Sequence, residues 1–114
     1  MFPARLPAAW VYRGDNPSLI ADLQFNDDDD SPLDLSSYSW VAHWKSSLDA
    51  TTYIALDIDE SEANVGHLVV TASGIASQQM ALSTLKGHWD LQSTVGGEVR
   101  TWVFGDTVIV KDVS

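Results

Sequence analysis

The chain has 114 residues, of which 45% are hydrophobic, 19% charged and 10% aromatic, with five Trp. This composition excludes a disordered or fibrous chain and suits one domain with a single core. Sixteen acidic against six basic side chains give a formal charge of -10, and the basic residues beyond Arg5 are scattered singly, which excludes the cation clusters that nucleic acid requires.

Without Cys there is neither a disulfide framework nor a thiolate metal site, so stability must come from packing. The opening "MFPARLPAAW" lacks the apolar run of about 7 to 15 residues of a signal peptide, and no stretch approaches a membrane span. The expectation is a protein made in the cytoplasm, with no membrane partner.

In chain order, residues 1–10 contain Pro3 and Pro7 and read as an extended arm able to lie over a neighbouring chain, leaving residues 11–114 as the domain. "WVYRG" favours a strand closed by Gly14, and Asp15, Asn16 and Pro17 make a turn. "SLIADLQF" alternates, with Leu19, Ala21, Leu23 and Phe25 on one face and Asp22 and Gln24 on the other. "NDDDDSP" breaks it with turn formers and mutually repelling carboxylates, and "LDLSSY" leads irregularly onward.

"SYSWVAHWKSS" sets Trp40, Ala42 and Trp44 against the core and turns Val41, His43 and Lys45 away. "TTYIALDID" repeats the period through Thr52, Ile54, Leu56 and Ile58, and a further strand runs from Val65 to Thr71. In "SGIASQQMALSTLKG" the spacing of Ala76 with Met80 and of Ala81 with Leu85 is helical, Ser73 or Ser77 can cap the start, and Gly87 falls near the end.

"GHWDLQSTV" then alternates with Trp89, Leu91 and Ser93 inward, Gly96 and Gly97 form a two-residue turn, and "EVRTWVF" returns. "VIVKD" either continues that strand or adds another beyond a kink at Gly105. Together these elements predict an all-β, antiparallel sandwich of about seven to eight strands with one short helix crossing between its sheets.

Chemistry-bearing patterns are weak. A calcium loop beginning at Asn26 or Asp27 lacks the Gly at its sixth position and the Glu at its twelfth, so the Asp27 to Asp30 run reads as a solvated turn that discourages edge association. Paired carboxylates for glycoside hydrolysis require one raised pKa, whereas the acids here fall in turns or on polar faces. His43, His67 and His88 lie on three different strands with no metal-ligand spacing and read as outward residues.

No G-x-S-x-G elbow accompanies the many Ser, and Gly96 and Gly97 lack the helix and Lys of a phosphate loop. No catalytic, cofactor-binding or metal residue is therefore assigned. Five Trp could form a sugar-stacking platform, but Trp40, Trp44 and Trp89 fall on core faces, which leaves Trp102 as the one expected to be exposed.

The order of four pieces carries a resemblance: "YRGDNPSLIADL", "PLDLSSYSWVAHWKSS", "VGHLVVTASGIASQQMALSTLKGHWDLQ" and "EVRTWVFGDTVIVKDVS". Across about residues 12 to 113 the chain resembles a small immunoglobulin-like domain of tailed bacteriophages and prophages, seen in the N-terminal domains of baseplate upper proteins and in other tail accessory proteins. Arg13, Gly14 and Asp15 match its opening, Pro32 to Tyr38 its second piece, Gly66 to Thr71 its third, Gly87 to Gln92 its fourth and Gly97 to Val110 its hairpin. Ser37 stands where the family pattern has Gly.

The resemblance implies an immunoglobulin-like sandwich and a non-enzymatic virion structural protein. Such a tail or baseplate accessory or connector subunit would be assembled in the host cytoplasm and act in multiple copies by docking onto other virion proteins. A capsid head decoration protein is the alternative within that class, and a carbohydrate-binding module of host adhesion the alternative outside it. The docking candidates are Phe2, Leu6, Trp10 and Trp102.

Overall fold

The computed structural model describes residues 4–13, 17–47 and 49–110. Among these the chain runs through strands β1 (Ala4–Tyr12), β2 (Ser18–Gln24), β3 (Ser39–Lys45) and β4 (Ile54–Asp59). A short 3-10 turn (Ala63–Val65), β5 (His67–Ala72), helix α1 (Gly74–Ser83), β6 (Lys86–Val95) and β7 (Glu98–Val110) follow. The strands are ordered β1-β7-β6-β3-β4-β5-β2, with every neighbouring pair antiparallel except β1 and β7, which are parallel.

Strand β4 turns this sheet into two layers. Its first half pairs with β3 from Ile54 to Leu56, and its second half pairs with β5 from Asp57 to Asp59. A strand shared in this way lets the sheet fold over on itself, so that alternate side chains of both layers meet in one core. Trp40, Ala42, Trp44, Trp89 and Leu91 come from one layer and Ile20, Leu68, Val70 and Ala72 from the other. This is the expected all-β sandwich, with β1 forming the exception to its antiparallel pairing.

The large residues are seated by specific partners. Trp44 and Trp89 are cross-strand partners pointing inward, and the Trp44 indole donates to Thr107 Oγ1 at 2.7 Å. Gly87 makes room for it, since a Cβ there would collide with the Trp44 indole. Trp40 donates to the Leu35 carbonyl at 3.1 Å. In this way the irregular segment after the Asp run contributes a buried Leu to the core.

The expected Gly-Gly turn is present, with both Gly96 and Gly97 at positive φ (59° and 84°). This suits the primed two-residue turn whose twist matches the flanking strands. Helix α1 crosses from β5 to β6, capped by Ser73, whose hydroxyl accepts from the Ala76 amide at 3.1 Å. Ala76, Ser77, Met80 and Ala81 are its buried face.

Several expectations are corrected. Residues 4–10 are not an arm over a neighbour but most of β1, held in register against β7 of the same chain. Gly87 lies inside β6 rather than at the helix end, and Leu85 is an exposed residue beyond the helix. Of the two alternatives for "VIVKD", the first holds, since β7 runs unbroken through Gly105.

Two corrections share one cause, an inserted residue. In β2 the register with β5 shifts between Leu19 and Ala21, so Ser18 and Ile20 are buried at the start and Ala21 and Leu23 become the core-side residues after it. Leu19 is consequently exposed. In β7 the register with β6 shifts where Leu91 pairs with Val103 and Gln92 with Thr101, leaving Trp102 as the extra residue. The bulge turns it inward, and Trp102 is 5% exposed rather than on the surface.

Candidate functional site

Of the three docking candidates among the described residues, Trp10 is the one prominent on the surface. Trp10 is 59% exposed on β1, at one edge of the sheet, with exposed Tyr12 on the same face of that strand. Leu6 is partly buried and packs against the core, and Phe2 lies outside the described residues. Trp102 belongs to an inner aromatic cluster with Phe25, Tyr38 and Trp40 at centroid separations of 5.3 to 5.7 Å from its own ring. Its indole donates to Ser93 Oγ at 2.7 Å, and the Arg100 guanidinium lies 4.7 Å over the ring.

The acidic run is organised as a turn. Asp27 Oδ1 accepts from the amides of Asp29 and Ser31 at 2.8 and 3.0 Å. Among the described residues no group of three or more His, Cys, Asp or Glu is arranged to hold a metal ion. Asp34 and Asp59 are held below the usual carboxylate pKa by hydrogen bonds from Ser36 and Ser61 respectively. These carboxyls stay ionised at neutral pH, the opposite of what a general acid needs.

His67 does more than face outward. Its Nε2 lies 2.5 Å from Asp22 Oδ1 and its Nδ1 2.9 Å from Glu62 Oε1, tying β5 to β2 and to the turn before the 3-10 segment. The Asp22 hydrogen bond, followed by that of Glu62, raises the imidazole pKa. In the imidazolium form both ring N–H groups donate to a carboxylate.

His43 and His88 stand instead over a groove of about 440 Å³ on the outer face of the layer formed by β1, β7, β6 and β3. The strand registers arrange its floor in rows. One row reads Arg5, Phe104, Asp90 and His43 across β1, β7, β6 and β3, and the next reads Asp106, His88 and Lys45. The Tyr53 ring tilts over His43 at a centroid distance of 4.0 Å, just beyond the groove at the β3 end of the first row.

The charges in the groove are mostly internal pairs. Asp106 meets His88 Nδ1 and Arg5 Nη2, each at 2.9 Å, and the His88 bond and then the Arg5 charge lower its pKa. Asp90 is different. Its Oδ2 accepts from Gln92 Nε2 at 3.2 Å, but its buried Oδ1 has no partner among the described residues. The indole N–H of Trp89, on the inward face of the same strand, is likewise unpartnered among the described residues.

Sequence reasoning placed His43, Lys45, His88 and Asp90 on polar strand faces but did not bring them together. Their meeting depends on the register of β3 against β6, which alternation alone does not set. It also missed the apolar surface of α1. Ile75 and Leu82, seven residues apart and so on one side of the helix, are 72% and 85% exposed. No charged residue interrupts the helix sequence GIASQQMALS. Compared with models of known protein families and with curated proteins, the chain matches none.

Proposed function

We propose that the chain is a non-enzymatic structural protein of a bacteriophage virion, a tail or baseplate accessory subunit that works by docking onto other virion proteins in several copies. The observation that supports this best is the exposure of large apolar side chains, among them Trp10 with Tyr12 on edge strand β1 and Ile75 with Leu82 on the uncharged helix. A net charge of -10 keeps the chain as a whole well solvated. Exposed aromatic and aliphatic groups of this kind are what protein interfaces bury at their centres.

The phage assignment draws on the resemblance of the four sequence pieces, and docking is the mechanism this surface suits. Mass spectrometry of particles separated into tails and heads is the test. Recovery with tails at a multiple of three or six copies is the expected result. Recovery with heads in hundreds of copies would make the chain a capsid decoration protein, and absence from particles would overturn the virion reading.

A further inference from the structure

We propose that the groove on the outer sheet face binds a neutral saccharide, with the row Phe104, Asp90 and His43 as its floor. The argument begins with the unpartnered carboxylate oxygen. A buried acceptor without a donor costs free energy that a bound hydroxyl group would recover. Asp90 Oδ1 is such an acceptor, and the Gln92 amide that holds Oδ2 fixes the carboxylate in place.

Aromatic rings stand on either side of that oxygen. Phe104, 38% exposed, is the cross-strand neighbour of Asp90 on β7, and His43 with Tyr53 tilted over it is the neighbour on β3. Two strand spacings separate Phe104 from His43, about 10 Å. A polyhydroxyl ring laid across this row places an apolar face on an aromatic ring and a hydroxyl at the carboxylate.

Charge narrows the ligand class. Arg5 and Lys45 balance Asp90 and Asp106, so with His counted as neutral the groove carries no formal charge in a chain of -10. Arg5 and His88 are occupied by Asp106, and the remaining lining includes Lys45 as donor, Asp90 as acceptor, and Thr101 and His43, each of which can do both. Hydroxyl groups, which donate and accept, match that set better than an anion or a cation does. An extended peptide is less well served, because the floor strands β7, β6 and β3 are already hydrogen-bonded on both sides and only β1, at the sheet edge, has an open ladder.

This proposal is independent of the virion reading, since a saccharide site could serve a protein in any location. The test is an amide NMR titration of the whole chain with maltotriose, cellotriose and chitotriose. The expected result is saturable shifts at Phe104, Asp90, His43 and Lys45 with at least one of the three. Asp90→Ala and Phe104→Ala should each weaken binding by roughly tenfold, while Phe104→Trp, which keeps a ring, retains it. Thermal melts of the variants separate lost binding from lost fold. No saturable shift with any of the three sugars, shifts mapping to another face, or binding indifferent to both alanine variants would overturn the proposal.

Discussion

The Trp102 indole donates to Ser93 Oγ at 2.7 Å across the β6–β7 ladder, and it reaches that hydroxyl because β7 carries one more residue than β6 at this point. The bulge converts a side chain that strict alternation would place outside into the centre of an aromatic cluster. Trp102→Ala is expected to cost about 3 to 5 kcal/mol and Ser93→Ala about 1 kcal/mol, the second by stranding a buried indole N–H. Urea unfolding followed by Trp fluorescence measures both. A loss at Trp102 under about 0.5 kcal/mol, the size of an ordinary surface change, would contradict its buried placement.

Gly87 tests the packing of the tryptophan pair. A methyl group there meets the Trp44 indole, which the bond to Thr107 and the neighbouring Trp89 prevent from stepping aside. Gly87→Ala should destabilise by about 1 to 3 kcal/mol through overpacking, with loss of near-ultraviolet circular dichroism from the Trp residues. An unchanged spectrum and midpoint would show that the indole can move.

The His67 clamp gives stability a pH dependence of definite sign. Because Asp22 and Glu62 raise the imidazole pKa in the folded protein, the folded state binds the proton more tightly than the unfolded chain does. That contribution is complete below the unfolded imidazole value of 6.5 and is lost as pH rises through the higher folded value. Asp34, Asp59 and Asp106 are all lowered from 3.8 and titrate well below this window. Melting temperature should therefore fall as pH rises above 6.5. The curve should be flatter in an Asp22→Asn, Glu62→Gln double variant, a comparison that isolates His67 from the other histidines. Parallel curves for the two proteins would remove the clamp from the account.

On the surface, the expectation is stability without function. Trp10→Ser and Leu82→Ser remove side chains with few inward contacts, so each should shift unfolding free energy by no more than about 0.5 kcal/mol. If the docking reading holds, the same substitutions should lower incorporation of the chain into particles. Unchanged incorporation in the double variant would move the interface elsewhere.

Much of the architecture is readable from period-two alternation. Trp40, Ala42 and Trp44 on β3 and Trp89, Leu91 and Ser93 on β6 lie where that pattern puts them, the Gly-Gly turn lies where turn chemistry puts it, and Ser73 is the one of the two candidate caps that the helix uses. The pattern fails at Leu19 and Trp102, because an inserted residue reverses the phase without leaving a compositional mark. It fails again at residues 4–10, part of an opening stretch whose two prolines, Pro3 and Pro7, suggest a free arm. There the chain bulges between Leu6 and Ala9 and then resumes pairing with β7, an edge position that tolerates a proline. The groove was invisible for a different reason. Its residues come from four strands, and register between distant strands is a property of the folded sheet.

The parallel pairing of the first strand with the last also has a mechanical consequence. Ala4 lies beside Val103 and Tyr12 beside Val110, so the start of β1 and the end of β7 point away from each other along a shared ladder. Tension applied between these two points loads the ladder in shear, with its hydrogen bonds resisting together, whereas an antiparallel pair held by adjacent ends would open one bond at a time. A subunit connected to its neighbours through both strands would transmit a pull along its length before yielding.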